Sequence, residues 1–154
     1  MFTVHPFYMK DKLWNNIAIV HTTEPFKQAP NVNTICLPNP DIPYNDKLCS
    51  SLGWGVNSQG SDASTQDIMK QVKVNLINNT ICQEKLRESG EVTYDYKVDD
   101  SFLCGEVSNS KNKNGETLCD GDGGGPVVCQ EQGTNRYVFL IFFMLTIFIS
   151  MITK

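Results

Sequence analysis

Apolar residues along this chain come in short bursts, separated by polar stretches that carry proline or glycine. Ile17-Ala18-Ile19-Val20 is a run of strand length, and Glu24-Pro25 opens a turn after it. Pro30, Pro38, Pro40 and Pro43 make residues 28–47 an extended connection and deny that stretch a helix. Cys49 to Val56 reads as a strand whose Gly53 and Gly55 leave room for another backbone to approach. Residues 57–68 are polar and loop-like. Val72, Val74 and Leu76 then alternate with Lys73 and Asn75, the period of a strand with one buried face. Asn79-Thr80 offers a helix start, Ile81 to Arg87 a short helix, and Ser89-Gly90 its stop. Ser101 to Cys104 reads as a brief strand and residues 105–118 as a polar loop. No internal repeat is visible, and short strands punctuated by turns predict an all-β sandwich or barrel.

The end of the chain breaks this rhythm. Tyr137 to Ile152 is apolar almost throughout, with only Thr146 and Ser150 polar. A membrane helix needs about 20 apolar residues, whereas this run spans roughly 24 Å as a helix. Three readings stay open: a buried strand, a marginal membrane anchor whose ends Arg136 and Lys154 extend by snorkelling, and non-native sequence. The expected boundary falls after residue 137, with 138–154 as a separate apolar tail.

Charge adds little beyond an exclusion. The 13 basic and 17 acidic side chains form no basic stripe that would neutralise a phosphate backbone, so nucleic acid is not an expected partner. Cysteine changes the picture more. Cys36, Cys49, Cys82, Cys104, Cys119 and Cys129 are widely and irregularly spaced, with no CxxC pair, and His5 and His21 lie outside the cysteine region. That pattern points to disulfides and an oxidising, extracellular compartment rather than to zinc. Met1 to Pro6 has no signal-peptide character, so an export signal is expected upstream. Asn78-Asn79-Thr80 is a glycosylation sequon. Asp120, Asp122 and Glu131 fit part of a calcium loop, but Pro126 follows its glycine and no helices flank it, so neither a metal nor any other cofactor is expected.

The segment Cys119-Asp120-Gly121-Asp122-Gly123-Gly124-Gly125-Pro126-Val127-Val128-Cys129 resembles the nucleophile loop of the chymotrypsin/trypsin-like serine proteases, C-x-G-D-S-G-G-P-[LV]-x-C. It departs at Gly123, where the family places its attacking serine. Leu13 to Ile19 resembles the family's L-x-N-D-I-A-L, Ile35-Cys36-Leu37-Pro38 its I-C-L-P, Cys49 to Gly55 its C-x-x-x-G-W-G, and Phe102-Leu103-Cys104 its F-[IL]-C-A. The matches fall in the family's order. They imply a partial chymotrypsin-like domain over residues 1–137, a fragment of a two-barrel fold incomplete at both ends. By the same resemblance Cys49 pairs with Cys129 and Cys82 with Cys104, while Cys36 and Cys119 are left without partners.

Acyl transfer in this family needs a hydroxyl nucleophile, an imidazole base and a carboxylate that sets the imidazole tautomer. The resemblance puts Gly123 at the first of these positions and Asn16 at the third, and the histidine segment would precede residue 1. His5 and His21 are expected to be ordinary exposed histidines. An Asp→Asn change in such a triad costs about 10⁴-fold in rate, and loss of the whole triad about 10⁶-fold. The backbone N–H groups of Gly121 and Gly123 could still form an oxyanion hole. Thr117 occupies the specificity-pocket position where trypsin-like members carry an aspartate. Asp122 corresponds to the carboxylate that receives a freed amino terminus after zymogen cleavage; without that amine it is expected to lack a partner, with its loop disordered or zymogen-like.

Glycine in the nucleophile position is similar to the non-catalytic serine protease homologues of arthropods, many of which carry an amino-terminal clip domain and assist extracellular cascades such as prophenoloxidase activation. The reading is therefore a secreted, inactive homologue whose partners are a cascade protease or its zymogen. A membrane would be involved only through 138–154. The alternatives are an active endopeptidase whose natural sequence has the serine, and a non-functional truncated product.

Overall fold

The computed structural model describes residues 1–56, 64–107, 118–131, 133–143 and 148–149, without the side chains of 141–143 and 148–149. Two sheets account for most of it. β1 (Phe2–Val4) and β2 (Ala18–Val20) form an antiparallel ribbon. The second sheet has six strands, β3 (Leu48–Gly53), β4 (Lys70–Ile77), β5 (Cys104–Val107), β6 (Gly125–Gln130), β7 (Tyr137–Phe143) and β8 (Phe148–Ile149), ordered β7–β6–β3–β4–β5–β8. Among the described residues one helix, α1 (Asn79–Ser89), completes a mostly β architecture consistent with a chymotrypsin-like fold.

The alternation in β4 is realised in full. Val72, Val74 and Leu76 are buried, while Gln71, Lys73 and Asn75 face solvent. Opposite them lie β3 and, beyond it, β6, so that Cys49, Val127, Cys129 and Val138 close one core around the same side chains. Cys49 and Cys129 are direct partners across β3 and β6, with Cα atoms 4.4 Å apart, and they are disulfide-bonded. A second core, built on Ile77, Leu86, Val98 and Phe102, surrounds the Cys82–Cys104 disulfide that joins α1 to β5.

α1 stands where its caps put it. Asn78 Oδ1 accepts from Ile81 N–H at 2.8 Å, and Gly90, at φ 73°, returns its N–H to Arg87 O. On the outer side Gln83 acts as a peptide mimic: its amide donates to Tyr96 O and accepts from Val98 N, each at 2.7 Å.

Three local expectations need correction. Ser101 to Phe102 is a turn, because Asp99 accepts from Ser101 N and its carbonyl from Phe102 N, and the strand begins only at Cys104 and runs through Val107. Residues 105–107, expected as loop, pair with Asn75, Leu76 and Val74; the polar Glu106 is held there by Lys85 at 2.7 Å. β3 stops at Gly53 instead of reaching Val56, since Gly55 turns its N–H to a side chain described below. In the apolar run, Tyr137 to Phe143 pairs antiparallel with β6 through a bulge at Val127/Val128, and Val138 is buried. Among the described residues no helix is long and apolar enough to cross a membrane.

The two disulfides close loops of unequal length, 80 and 22 residues apart in sequence. Chain entropy then makes Cys49→Ala/Cys129→Ala cost about 4–5 kcal/mol and Cys82→Ala/Cys104→Ala about 3 kcal/mol. Denaturant titration of the two double variants checks that order.

Candidate active-site loop

The loop between Cys119 and Gly125 is built around one inward-turned carboxylate. Asp122 N–H bonds to Cys119 O and Gly125 N–H to Asp122 O, which folds the loop into two successive turns. Gly121 and Gly124, at φ 87° and 83°, take the left-handed conformations those turns need. The Asp122 side chain is fully buried. Its Oδ1 accepts from Gly55 N–H at 2.7 Å; its Oδ2 accepts from Cys119 N–H at 3.0 Å and faces Lys70 Nζ at 3.0 Å. Lys70 Nζ also donates to Val56 O at 2.6 Å.

The expectation that Asp122 lacks a partner is therefore wrong, and of the two states expected for its loop, disordered or zymogen-like, the first does not hold. Lys70, at the first position of β4, supplies the positive charge. Sequence reasoning missed it because 52 positions separate the two residues and Lys70 reads as one more polar residue beside a strand.

The space for that carboxylate is made by glycine. A Cβ on Gly53 would collide with Asp122 Oδ1, and one on Gly55 would lie 2.6 Å from Asp122 Cγ. Gly121 is less crowded but still tight, its Cβ position being 3.2 Å from Gly55 Cα. The G-W-G pattern thus serves the loop 67 residues further on, and Val56 N–H to Asp120 O at 3.0 Å ties the same two segments.

The other predicted site positions are distributed as follows. Gly123 sits exposed at the crest of the loop, with no side chain. Asn16 lies just before β2, on the ribbon, and its Nδ2 is buried without a hydrogen-bond partner. His21 is exposed and bonded to Thr3 Oγ1, whereas His5 is half-buried and accepts from Phe7 N–H. Thr117 falls outside the described residues. Cys36 and Cys119 are free thiols, each half-buried. Burial pushes the Cys119 thiol up; the charge of Lys70 opposes this, and those of Asp122 and Asp120 add to it. Such a thiol is a poor replacement nucleophile. Among the described residues no three acidic, histidine or cysteine side chains gather as metal ligands.

A trypsin-family sequence profile matches residues 1–145, nearly the whole chain and past the start of the apolar run. The chain belongs to the trypsin family. Its relatives include phenoloxidase-activating factor 2 of Galleria mellonella, 32% identical over 141 residues, which cover 88% of this chain and 43% of the relative. Two inactive CLIP domain-containing serine proteases of Anopheles gambiae are also similar. A28 is 34% identical over 133 residues and A8 is 30% identical over 129; each match covers 84% of this chain and about a third of the relative, 32% and 33%. This trypsin-family chain thus spans less than half the length of these curated relatives.

Because Gly55 has no slack against Asp122, Gly55→Ala is expected to destabilise the fold by about 2–3 kcal/mol through overpacking. Gly90→Ala, with nothing near its Cβ position, strains only the helix cap and costs about 1 kcal/mol. Paired thermal melts of the two variants test the contrast.

Proposed function

We propose that this chain is a catalytically inactive serine protease homologue, secreted, that acts by binding and regulating a protease or its zymogen in an extracellular proteolytic cascade. The observation that carries the reading is Gly123: the loop that presents the nucleophile in this family is folded here, and its crest has no functional group. Asn16 supports it independently, since an amide at the tautomer-setting position handicaps the imidazole base. The relatives support the cascade. One is named as a phenoloxidase-activating factor and two as inactive CLIP-domain proteases. On that likeness the partner is a phenoloxidase-type cascade protease or its zymogen, and the full protein carries an amino-terminal clip domain.

The degenerate site keeps its shell. Gly121 and Gly123 retain the backbone N–H groups of an oxyanion hole, and Thr117 offers no carboxylate to hold a basic side chain. The surface left is one for protein recognition, with no acyl-enzyme chemistry behind it.

A phosphonate probe for serine hydrolases should leave the purified protein unlabelled, and chromogenic peptide esters should not be hydrolysed above background. Added to an activating protease and its zymogen, the protein should change the rate of zymogen activation severalfold. Labelling at residue 123 in the natural protein, or no effect on activation by any cascade member, would sink the reading.

Export also exposes Asn78 to glycosylation. The cap uses Asn78 Oδ1, whereas a glycan attaches through Nδ2, so modification leaves the helix cap intact. The secreted protein is expected to lose mass on treatment with an amidase specific for N-glycans, and an Asn78→Gln variant to show no such loss.

A further inference from the structure

The carboxylate at the centre of the loop already has its cation. We propose that Lys70 is an internal counter-ion that holds the Cys119–Gly125 loop in its ordered form with no chain terminus at Asp122, so that the loop is assembled in the uncleaved protein. The inference needs only membership of the family and stands whether or not the protein is a cascade cofactor.

Sheet register explains why this lysine and no other does it. Lys70 and Gly53 are Cα partners across β3 and β4. Side chains of such partners lie on the same face of the sheet. Gly53 vacates its place on that face, the Asp122 carboxylate fills it, and the Lys70 ammonium arrives beside it from the neighbouring strand. Both ends of the pair are withdrawn from water, the Lys70 side chain being 9% exposed and that of Asp122 not at all.

All the acceptors of this cluster are engaged. Asp122 Oδ1 takes the Gly55 amide, Oδ2 takes the Cys119 amide and the ammonium, and the ammonium takes Val56 O as well. The ion pair therefore ties three segments, the turn after β3, the start of β4 and the loop itself. A buried carboxylate stripped of its cation is strongly destabilised, whereas one already paired has no use for a second. By the family resemblance a freed amino terminus brings this charge only after proteolysis. Here the charge is in the sequence, and loop order ceases to report cleavage.

The test is amide hydrogen exchange on the full chain. In Lys70→Ala the Gly55 and Cys119 amides should exchange about a hundredfold faster or more, because their shared acceptor is left buried without its counter-ion. The Cys82 amide, bonded to Asn78 O in α1, should keep its rate. n-Propylammonium should restore protection in that variant and leave the unsubstituted protein unchanged, while tetramethylammonium at equal ionic strength should do nothing. That selective rescue is a response a merely structural lysine would not give. Unchanged exchange at Gly55 and Cys119, or acceleration that no ammonium donor reverses, overturns the proposal. Should Lys70→Ala not fold, the double variant Lys70→Ala/Asp122→Asn decides: recovery of folding assigns the defect to the unpaired carboxylate, and continued failure refutes it.

Discussion

A carboxylate with no access to water sets the terms for the rest of this structure. Two backbone amides and one ammonium converge on Asp122 where it lies. Each of those donors comes from a different part of the chain, so satisfying one side chain aligns the end of β3, the start of β4 and the loop ahead of β6. The requirement also reaches into composition. Gly53 and Gly55 are glycines because Asp122 occupies the volume their side chains would take. Isolating a charge in this way is costly, and breaking such a pair costs more than forming it gains. The arrangement is therefore a device for fixing geometry rather than a source of net stability.

Stability comes from elsewhere, and unevenly. In the six-stranded sheet Val72, Val74, Leu76, Val127 and Val138 pack around the Cys49–Cys129 bond, and α1 is held to β5 by a second disulfide and the Phe102 cluster. The β1–β2 ribbon has no such core. Phe2, Ile19 and Val20 are largely exposed on it, and a two-stranded ribbon is marginal by itself. What fastens it to the sheet is the segment between its strands. Trp14 packs on the Phe102 cluster, and Asn15 N–H donates to Ser101 Oγ at 3.0 Å. Asn16, proposed above as a degenerate triad position, follows directly, so its placement depends on that short anchor.

Much of this was legible because it is local. Alternation over 72–76 marks β4, the start and stop signals mark α1 to within two residues at either end, and the glycine-rich run at 119–129 marks its loop by motif. Less legible were features whose cause lies far along the chain. Gly105-Glu106-Val107 is polar enough to read as loop and becomes strand because Lys85 neutralises Glu106 and β4 offers a free edge. Tyr137 to Phe143 is apolar at every position, which hides the period that would separate strand from helix. Most opaque was Lys70. No spacing rule connects it to Asp122; only the register that sets it opposite Gly53 does so.

On the reading proposed above, a nucleophile is lost while its loop is retained, and the surroundings of Gly123 and Asp122 differ in a way that lets the two part. Gly123, the proposed serine position, is exposed. Asp122 projects inward and cannot be removed without depriving the Gly55 and Cys119 amides and the Lys70 ammonium of their shared acceptor. Selection for hydrolysis could lapse at the first residue while folding still enforced the second. A loop whose order is secured from within has no structural need of hydrolysis, and under the proposed function its crest is left to be shaped by whatever binds there.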